Sequence, residues 1–310
     1  MDTVTIPVTA ILTGQLSTSG KLMLTYAKLL RIPHWTKNGL CLAGLLFSGK
    51  FTEPLAVQAA LLTFGLYCLV SSSVYILNDL IDRERDRKHS KKRHRPIASG
   101  AVHPTMAIML AGILAAIGLV GASIMGRVVL ACLVLYLLNN VMYSFHLKHI
   151  PLFDVLCIAF GFMLRLLAGV YAVGELPTTW ITLCTFFLAL FLGFAKRRAE
   201  LVGLGEEELH RPVLSNYTIP FLDSLVNNSA IMAVMSYALF TTTSGKNPSL
   251  IITVPIVFFA IMHYKRLVLV LNSGEEPDRI LLTDFPIQAS IMLWLVSYFA
   301  ITYSGMSLFR

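Results

Sequence analysis

Apolar blocks of about 20 residues recur along the chain, separated by short polar connections. A block of about this length crosses roughly 30 Å of hydrocarbon as a helix. The pattern therefore predicts an all-α polytopic membrane protein with nine transmembrane helices. The predicted spans are roughly residues 33–49, 55–78, 104–124, 128–147, 152–173, 179–198, 221–243, 249–271 and 287–308.

Two segments precede the first predicted span. Residues 1–20 contain no Lys or Arg, so they lack the basic region that begins a secretory signal, and we expect a polar tail. The stretch "KLMLTYAKLLRI" places apolar residues at helical spacing among three basic ones, which is typical of an interfacial helix. We expect residues 21–310 to form a single domain.

Composition supports the membrane assignment and narrows the classes of site. Hydrophobic residues make up 56% of the chain and charged residues 14%, whereas soluble domains carry about 25% charged residues. The five cysteines are singly spaced, which argues against a zinc site or a disulfide framework. A membrane setting is expected, and a nucleic-acid partner is not.

The distribution of Lys and Arg predicts the orientation. If the nine spans alternate, twenty basic residues fall on the side of the N-terminus, four fall on the other side, and Arg165 lies inside a span. Basic loops stay in the cytoplasm, so the N-terminus and the long charged loops are predicted to be cytoplasmic and the C-terminus external. The external connections are short and carry little charge. The active-site loops are therefore expected on the cytoplasmic face.

An acidic group marks the end of the second span, in "NDLIDRERD". At 100° per residue, Asp79, Asp82 and Asp86 share an arc of about 60° on one helix face. Three carboxylates on one face repel each other unless a cation lies among them. Together with Asn78 they supply the oxygen ligands that suit Mg²⁺, which proteins usually bind through carboxylates and substrate phosphates. A Mg²⁺-bound diphosphate is predicted here.

The basic residues around this group leave alternatives open. The acids could simply pair with the interleaved Arg83, Arg85 and Arg87. The following basic stretch, "KHSKKRHRPIASG", could be a topology signal or could bind phosphate oxygens. Arg95 is the best candidate for phosphate binding because Pro96 and Gly100 restrict the turn behind it.

"NDLIDRERD" is similar to the first aspartate-rich motif of the UbiA superfamily of intramembrane prenyltransferases, and the resemblance extends over nearly the whole chain. It is closer to one branch, the decaprenyl-phosphate phosphoribosyltransferases, which make the lipid-linked precursor of arabinose. The stretches that carry the branch resemblance are "LLRIPHWTKNGL", "RHRPIASG", "YSFHLKHIPLFDV", "GFMLRLLAGVYAVG", "FLGFAKRRAEL", "RPVLSNYTIPFLDSL" and "GEEPDRILLTDFP".

The resemblance implies a UbiA-like bundle of nine helices in a bacterial inner (plasma) membrane. It also implies Mg²⁺-dependent transfer of 5-phosphoribose from phosphoribosyl diphosphate to a polyprenyl phosphate. The resulting arabinose donor could serve a cell-wall arabinan or a nodulation-type signalling oligosaccharide, and a homo-oligomer is left open. Two other functions compete: transfer of an isoprenoid from its diphosphate to an aromatic or other acceptor, and transport of an anionic lipid.

Two ionisable residues are predicted to line a cavity in the fifth span. An arginine at the centre of a membrane helix costs roughly 2.5–3.5 kcal/mol on insertion scales, so Arg165 should face a cavity or a partner. Asp154 lies on the same helix face, offset by about 20°. The alternative is a structural ion pair between helices.

Further candidates lie near the predicted cytoplasmic ends of other spans. Lys37 and Asn38 open the first span and are expected to complete the donor site. In "YSFHLK", Lys148 is expected to bind phosphate, and Tyr143 is expected to act in catalysis with Asp79, Asp82 and Asp86 by donating a hydrogen bond to a substrate oxygen. An ordinary interfacial tyrosine and lysine would look the same.

The end of the sixth span departs from the pattern of many relatives, which carry a second D-x-x-x-D motif in this part of the chain. The sequence here has Lys196, Arg197, Arg198 and Glu200. Three cations suit the phosphate of a lipid or of a phosphoribosyl donor. This puts in doubt both a second metal and an uncharged aromatic acceptor. The alternative is that they are ordinary positive-inside residues.

Overall fold

A computed structural model describes residues 18–90, 92–203, 212–274, 276–304 and 308. Over these ranges the chain is helical and contains no strand. The helices are α1 Thr18–Leu29, α2 Ala43–Ser48, α3 Pro54–Ile81, α4 Arg83–Lys88, α5 Pro104–Met125, α6 Arg127–Phe145, α7 Phe153–Ala172, α8 Thr179–Gly203, α9 Ile219–Thr243, α10 Val254–Leu269, α11 Pro277–Thr283 and α12 Phe285–Ser304. Short 3₁₀ segments are Ile32–Leu42, Lys50–Thr52, Lys92–His94, Leu147–His149, Pro212–Asn216 and Pro248–Thr253.

The all-helical membrane fold predicted from the apolar blocks is confirmed, but the count of nine spans is not. Within the described ranges, seven helical segments are long and apolar enough to cross a membrane. The first predicted span consists of the 3₁₀ segment Ile32–Leu42 followed by the short α2. The seventh predicted span corresponds to α9. This helix carries several polar residues and is not one of the segments long and apolar enough to cross a membrane. Residues 1–17 of the predicted polar tail lie outside the described residues.

Contacts divide the chain into two units, of which the smaller combines residues up to Asn38 with Gly65–Gly121. Its core contains Leu29 from α1, Ile76 from α3, Ile97 from the loop after α4, and residues of α5. The hydroxyl of Ser73 on α3 donates to the carbonyl oxygen of Ala111 on α5 at 2.8 Å. One apolar core therefore holds the end of α3, the basic loop and α1 in place.

The larger unit comprises Gly39–Phe64 and the chain from Ala122 onwards. Helix α7 packs along α6 and α8, and α8 also packs along α9. Its main core is built from apolar residues of α7, α8, α9 and α10, including Val155, Phe194, Leu222 and Val268. This packing fixes the C-terminal end of α8 beside the start of α7 and the start of α9.

A close backbone approach in the larger unit gives a testable consequence. A Cβ atom added at Gly169 would lie 1.9 Å from the carbonyl oxygen of Cys41. We expect Gly169→Ala to lower the free energy of unfolding by about 1–3 kcal/mol, because the clash is with backbone and not with a flexible side chain. Thermal unfolding in detergent measures the change.

Gly112→Ala in α5 is the matched control for this substitution. No described atom lies within 4 Å of the Cβ it would add. Alanine is favoured over glycine in a helix by about 1 kcal/mol, so this variant should be as stable as the wild type or more stable. Equal stability of the two variants would contradict the close approach of Gly169 to Cys41.

Candidate active site

The acidic group at the end of α3 keeps the helical spacing that the sequence predicts. Backbone hydrogen bonds run from the amide of Asp82 to the carbonyl of Asn78 at 2.9 Å, and from the amide of Asp86 to the carbonyl of Asp82 at 2.8 Å. The helix is therefore nearly continuous across the junction between α3 and α4. Asp79 and Asp86 are each only 3% exposed, whereas Asn78 and Asp82 are half-buried.

Two arginines from outside this helix neutralise the buried acids. Nη1 of Arg95 donates to Oδ1 of Asp79 at 3.0 Å and to Oδ2 of Asp86 at 2.7 Å. Arg31 forms an ion pair with the same oxygen of Asp79. Of the interleaved arginines, Arg87 instead binds Glu84 and the carbonyl oxygen of Ala98. Asp79 and Asp86 are therefore paired with arginines from outside their own helix.

The turn behind Arg95 is as well defined as the sequence predicts. The amide of Ser99 donates to the carbonyl of Arg95 at 2.8 Å, and the amide of Val102 donates to the carbonyl of Pro96 at 3.0 Å. Gly100 has φ +81°, a left-handed conformation that favours glycine. Ile97 is fully buried in the core of the smaller unit. The backbone that carries Arg95 is thus anchored on both sides.

The contact of Arg31 with Asp79 is not predicted by local sequence pattern, which places Arg31 only in an interfacial helix. Arg31 follows α1 with φ +53°, and its guanidinium carbon lies 4.8 Å from the centre of the Tyr75 ring. Pro33 is the sequence feature that could indicate this contact. A proline favours the end of a helix just before it, so Arg31 is expected beyond the end of α1 and not on its surface.

The structure separates Asn38 from the acidic group. Asn38 is fully buried, and its side-chain amide donates to Oγ of Ser71 at 3.1 Å. Ser71 precedes Asn78 by seven residues, about 10 Å along α3. Asn38 therefore fixes the 3₁₀ segment against α3. Lys37 is half-buried on the same segment, and its role in the donor site stays a prediction.

The acidic group supplies oxygen atoms of the kind that Mg²⁺ prefers, and arginine neutralises the two buried carboxylates. Within the described ranges, no three Asp, Glu, His or Cys groups form a metal-binding cluster. The side-chain oxygen of Asn78 is buried and has no hydrogen-bond partner among the described residues. An unsatisfied amide oxygen beside carboxylates is the donor chemistry that a hard cation prefers.

A second polar cluster lies in the larger unit, around Asp154 at the start of α7. The fully buried Asp154 accepts hydrogen bonds from Nε of Arg197 at 2.6 Å and from the hydroxyl of Tyr217 at 2.8 Å. Arg197, 1% exposed, also binds Glu200 at 2.9 Å. The geometry favours the alternative of an ion pair between helices, with Arg197 as the partner.

Arg198 is also committed to intramolecular contacts. It donates to Oδ1 of Asp223 at 2.7 Å, to the carbonyl oxygen of Val268 at 2.8 Å and to the side-chain oxygen of Asn272 at 3.0 Å. These bonds tie α8 to α9 and to the end of α10. Arg197 and Arg198, two of the three cations predicted to bind an anion, thus stabilise the fold. The third, Lys196, is half-buried.

Arg165 lies deep in α7 and does not pair with Asp154. Eleven residues of helix separate the two by about 16 Å, although they share a face. The guanidinium of Arg165 donates to the hydroxyl of Tyr136 and to the carbonyl oxygen of Gly161, both at 2.9 Å. It also lies 4.6 Å from the centre of the Tyr136 ring. These contacts offset the cost of an arginine within a membrane helix.

The remaining candidates lie beside this cluster. Tyr143 is half-buried in the last turn of α6. Lys148 is half-buried in the 3₁₀ turn Leu147–His149. Sequence reasoning missed Tyr217, whose hydroxyl also accepts from the amide of Leu152 at 2.6 Å. Burial raises the pKa of Tyr217, so this phenol stays protonated and donates to Asp154.

Comparison with known proteins identifies relatives over most of the chain. The UbiA prenyltransferase family matches residues 39–282. A decaprenyl-phosphate phosphoribosyltransferase of Corynebacterium glutamicum is 33% identical over 288 residues, covering 86% of this chain and 83% of the relative. A protein of the same name from Mycolicibacterium smegmatis is 32% identical over 295 residues, covering 89% and 92%.

A solved structure shares the fold. A UbiA homologue from Archaeoglobus fulgidus, bound to GPP and Mg²⁺, superposes with a TM-score of 0.71. The superposition covers 90% of this chain and 99% of that chain at 20% sequence identity. At this identity the likeness shows the fold alone.

Proposed function

This chain belongs to the UbiA prenyltransferase family, and we propose that it transfers 5-phosphoribose from 5-phosphoribosyl 1-diphosphate to a polyprenyl phosphate, with Mg²⁺ as cofactor. It is a transferase and an integral membrane protein. The observation that carries the proposal is the acidic group of Asn78, Asp79, Asp82 and Asp86 in contact with Arg95. The carboxylates that would hold a metal are there in direct contact with an arginine that would bind phosphate.

The relatives support the choice of substrates. Both relatives described above are named for decaprenyl phosphate and for phosphoribosyl transfer, and each is aligned over more than four fifths of its length. The solved UbiA homologue contains a prenyl diphosphate and Mg²⁺, which supports a divalent cation at a diphosphate site in this fold. We further propose that the charged loops face the cytoplasm of a bacterial plasma membrane, where phosphoribosyl diphosphate would be available.

The reaction forms one bond and breaks one. A phosphate oxygen of the lipid attacks the anomeric carbon of ribose, and the bond from that carbon to the diphosphate breaks, so the diphosphate leaves with the electron pair. The attacking phosphate is already anionic at neutral pH, so no general base is needed. Bound Mg²⁺, held by Asn78, Asp79, Asp82 and Asp86, would neutralise the charge that develops on the leaving group.

The residues of the chain orient and stabilise the leaving group. Arg95 and Arg31 form ion pairs with the acidic group, and they would donate hydrogen bonds to diphosphate oxygens. Tyr143, Lys148 and Lys196 are the proposed contacts of an anionic substrate in the larger unit. Arg197 and Arg198 would act by holding α8 in place, since their contacts are internal.

A transfer assay tests the proposal. Washed membranes containing the overexpressed protein would receive labelled phosphoribosyl diphosphate and polyprenyl phosphate, with Mg²⁺ or with EDTA. We expect label to enter an organic-extractable lipid only with Mg²⁺, because the diphosphate leaving group requires charge neutralisation. Membranes from cells lacking the protein are the control.

Transfer of a prenyl group is the second candidate, favoured by the GPP bound to the solved UbiA homologue. The transfer assay distinguishes prenyl transfer from phosphoribosyl transfer. If no lipid length accepts phosphoribose, and a prenyl diphosphate is consumed in the presence of an aromatic acceptor, the lipid is the electrophile and the proposed substrates are wrong.

A further inference from the structure

We propose that Arg95, assisted by Arg31, is a resident counter-cation of the acidic group, so that a divalent cation and a diphosphate enter this site together and neither binds well alone. The inference rests on the proposed function only in assuming that the site accepts a divalent cation and a diphosphate. It does not depend on which group is transferred.

The position of one nitrogen atom carries the argument. Nη1 of Arg95 lies 3.0 Å from Oδ1 of Asp79 and 2.7 Å from Oδ2 of Asp86, so it occupies the space between the two carboxylates. A divalent cation held by both carboxylates would need that same space. A cation cannot bridge Asp79 and Asp86 until the guanidinium moves.

Burial explains why the site needs a counter-charge before any ligand arrives. Asp79 and Asp86 are each 3% exposed, and a buried charge without a partner is strongly destabilising. Arg95 and Arg31 supply that partner from two separate segments, and Arg31 shares the same oxygen of Asp79. These ion pairs neutralise the two carboxylates, which lowers their affinity for a free metal ion.

The arginine side chains have a route away from the acids. The side chain of Arg95 is 28% exposed and that of Arg31 is 18% exposed, whereas the carboxylates are enclosed. The backbone around Arg95 is anchored, so the movement is a rotation of the side chain. The guanidinium groups are therefore accessible to an anion from solvent.

A diphosphate can replace the contacts that Arg95 loses when it leaves the carboxylates, and it can add ligands to the metal. Its oxygens accept bidentate hydrogen bonds from guanidinium groups, which gives Arg95 a new partner. Its remaining oxygens ligate the metal along with the carboxylates that are released. Each ligand thereby raises the affinity for the other by the same factor, as linkage requires.

Metal binding to the purified protein tests the inference without any turnover. Mn²⁺ serves as a paramagnetic probe, and protein-bound Mn²⁺ is measured by electron paramagnetic resonance with and without inorganic diphosphate at equal free Mn²⁺. For the wild type we expect diphosphate to raise the Mn²⁺ affinity by about tenfold to a hundredfold, the usual range of coupling between two sites. For Arg95→Gln we expect tight Mn²⁺ binding without diphosphate and little further gain.

Two control variants make the result specific. Arg85→Gln removes the same charge from an exposed side chain of α4, so it should behave as the wild type. Asp82→Asn should lose Mn²⁺ binding under both conditions. Arg95→Lys keeps the charge without the forked geometry, and it should remain dependent on diphosphate while binding diphosphate more weakly.

Several outcomes would overturn the inference. One is tight Mn²⁺ binding by the wild type without diphosphate, and another is an equal change in Arg95→Gln and Arg85→Gln. If Arg95→Gln does not fold, loss of diphosphate dependence in Arg95→Lys would also contradict it. Coupled binding without phosphoribosyl transfer would leave the inference standing and reject the proposed substrates. Undiminished Mn²⁺ binding by Asp82→Asn would instead reject the metal site.

Discussion

Replacing Asp82 by asparagine is expected to abolish product formation, by at least about 10²–10³-fold in kcat, while the protein stays folded. Asp82 is half-buried and lies between the two buried acids in the motif. Its side chain makes no capping hydrogen bond to α4, although it occupies the N-cap position. Asparagine has nearly the same shape, so the substitution removes the charge proposed to bind the metal and preserves the helix.

Asp82 is a better test than its neighbours because of their ion pairs. Substituting Asp79 or Asp86 would remove a partner of Arg95, and a loss of activity could then reflect a rearranged site. The measurement is the rate of label transfer across a Mg²⁺ titration. Glu84→Gln, an exposed acid in the same short helix, is the matched control and should retain activity. Full activity of Asp82→Asn would contradict the metal assignment.

The geometry of the acidic group could be predicted from sequence because it is local. Helical periodicity alone places Asp79, Asp82 and Asp86 on one face, and the backbone hydrogen bonds continue across the junction as required. Arg95 was predicted as a phosphate ligand from its position before Pro96, but not as the partner of two carboxylates. Arg31 is 48 residues from Asp79, and no local spacing encodes a contact over that separation.

The second cluster shows the limit of reasoning from a single helix. The spacing of Asp154 and Arg165 correctly places them on one face, yet the partner of Asp154 is Arg197, from the next helix. The partner of a buried acid depends on how α7 packs against α8. The helical repeat of 3.6 residues within α7 gives no information about that packing. Helix packing also decides the partners of the cations at residues 196–198. The sequence predicts an anion site there, whereas Arg197 and Arg198 are buried and paired with Asp154 and Asp223.

The count of nine spans is not confirmed, for a related reason. Apolar length predicts a straight helix for residues 33–49, whereas the chain forms a 3₁₀ segment and a short helix there. The tight approach of Gly44 and Cys41 to Gly169 accompanies this irregular path. Such a contact depends on two small residues distant in sequence, and hydropathy does not detect it.

Replacing Arg197 by methionine is expected to lower the free energy of unfolding by about 3–5 kcal/mol, because it leaves the buried Asp154 without its cation. Methionine keeps most of the side-chain volume, so the loss is electrostatic and not a cavity effect. Unfolding of the purified protein in detergent measures the change. Arg279→Met, which removes a 76% exposed arginine from a 3.8 Å pair, should cost less than about 1 kcal/mol.

A double-mutant cycle with Asp154→Asn separates the two roles considered for Arg197. If the pair is structural, the double variant should be destabilised by less than the sum of the single variants, since neither then leaves a buried charge alone. If Arg197 is instead a ligand of a substrate phosphate, Arg197→Met should be nearly as stable as the wild type and should raise the KM for the anionic lipid. The stated contacts favour the first outcome, because Nε and Nη1 of Arg197 are already bound to Asp154 and Glu200. If Arg197→Met is as stable as the wild type, the cations at the end of α8 would instead be assigned to direct anion binding.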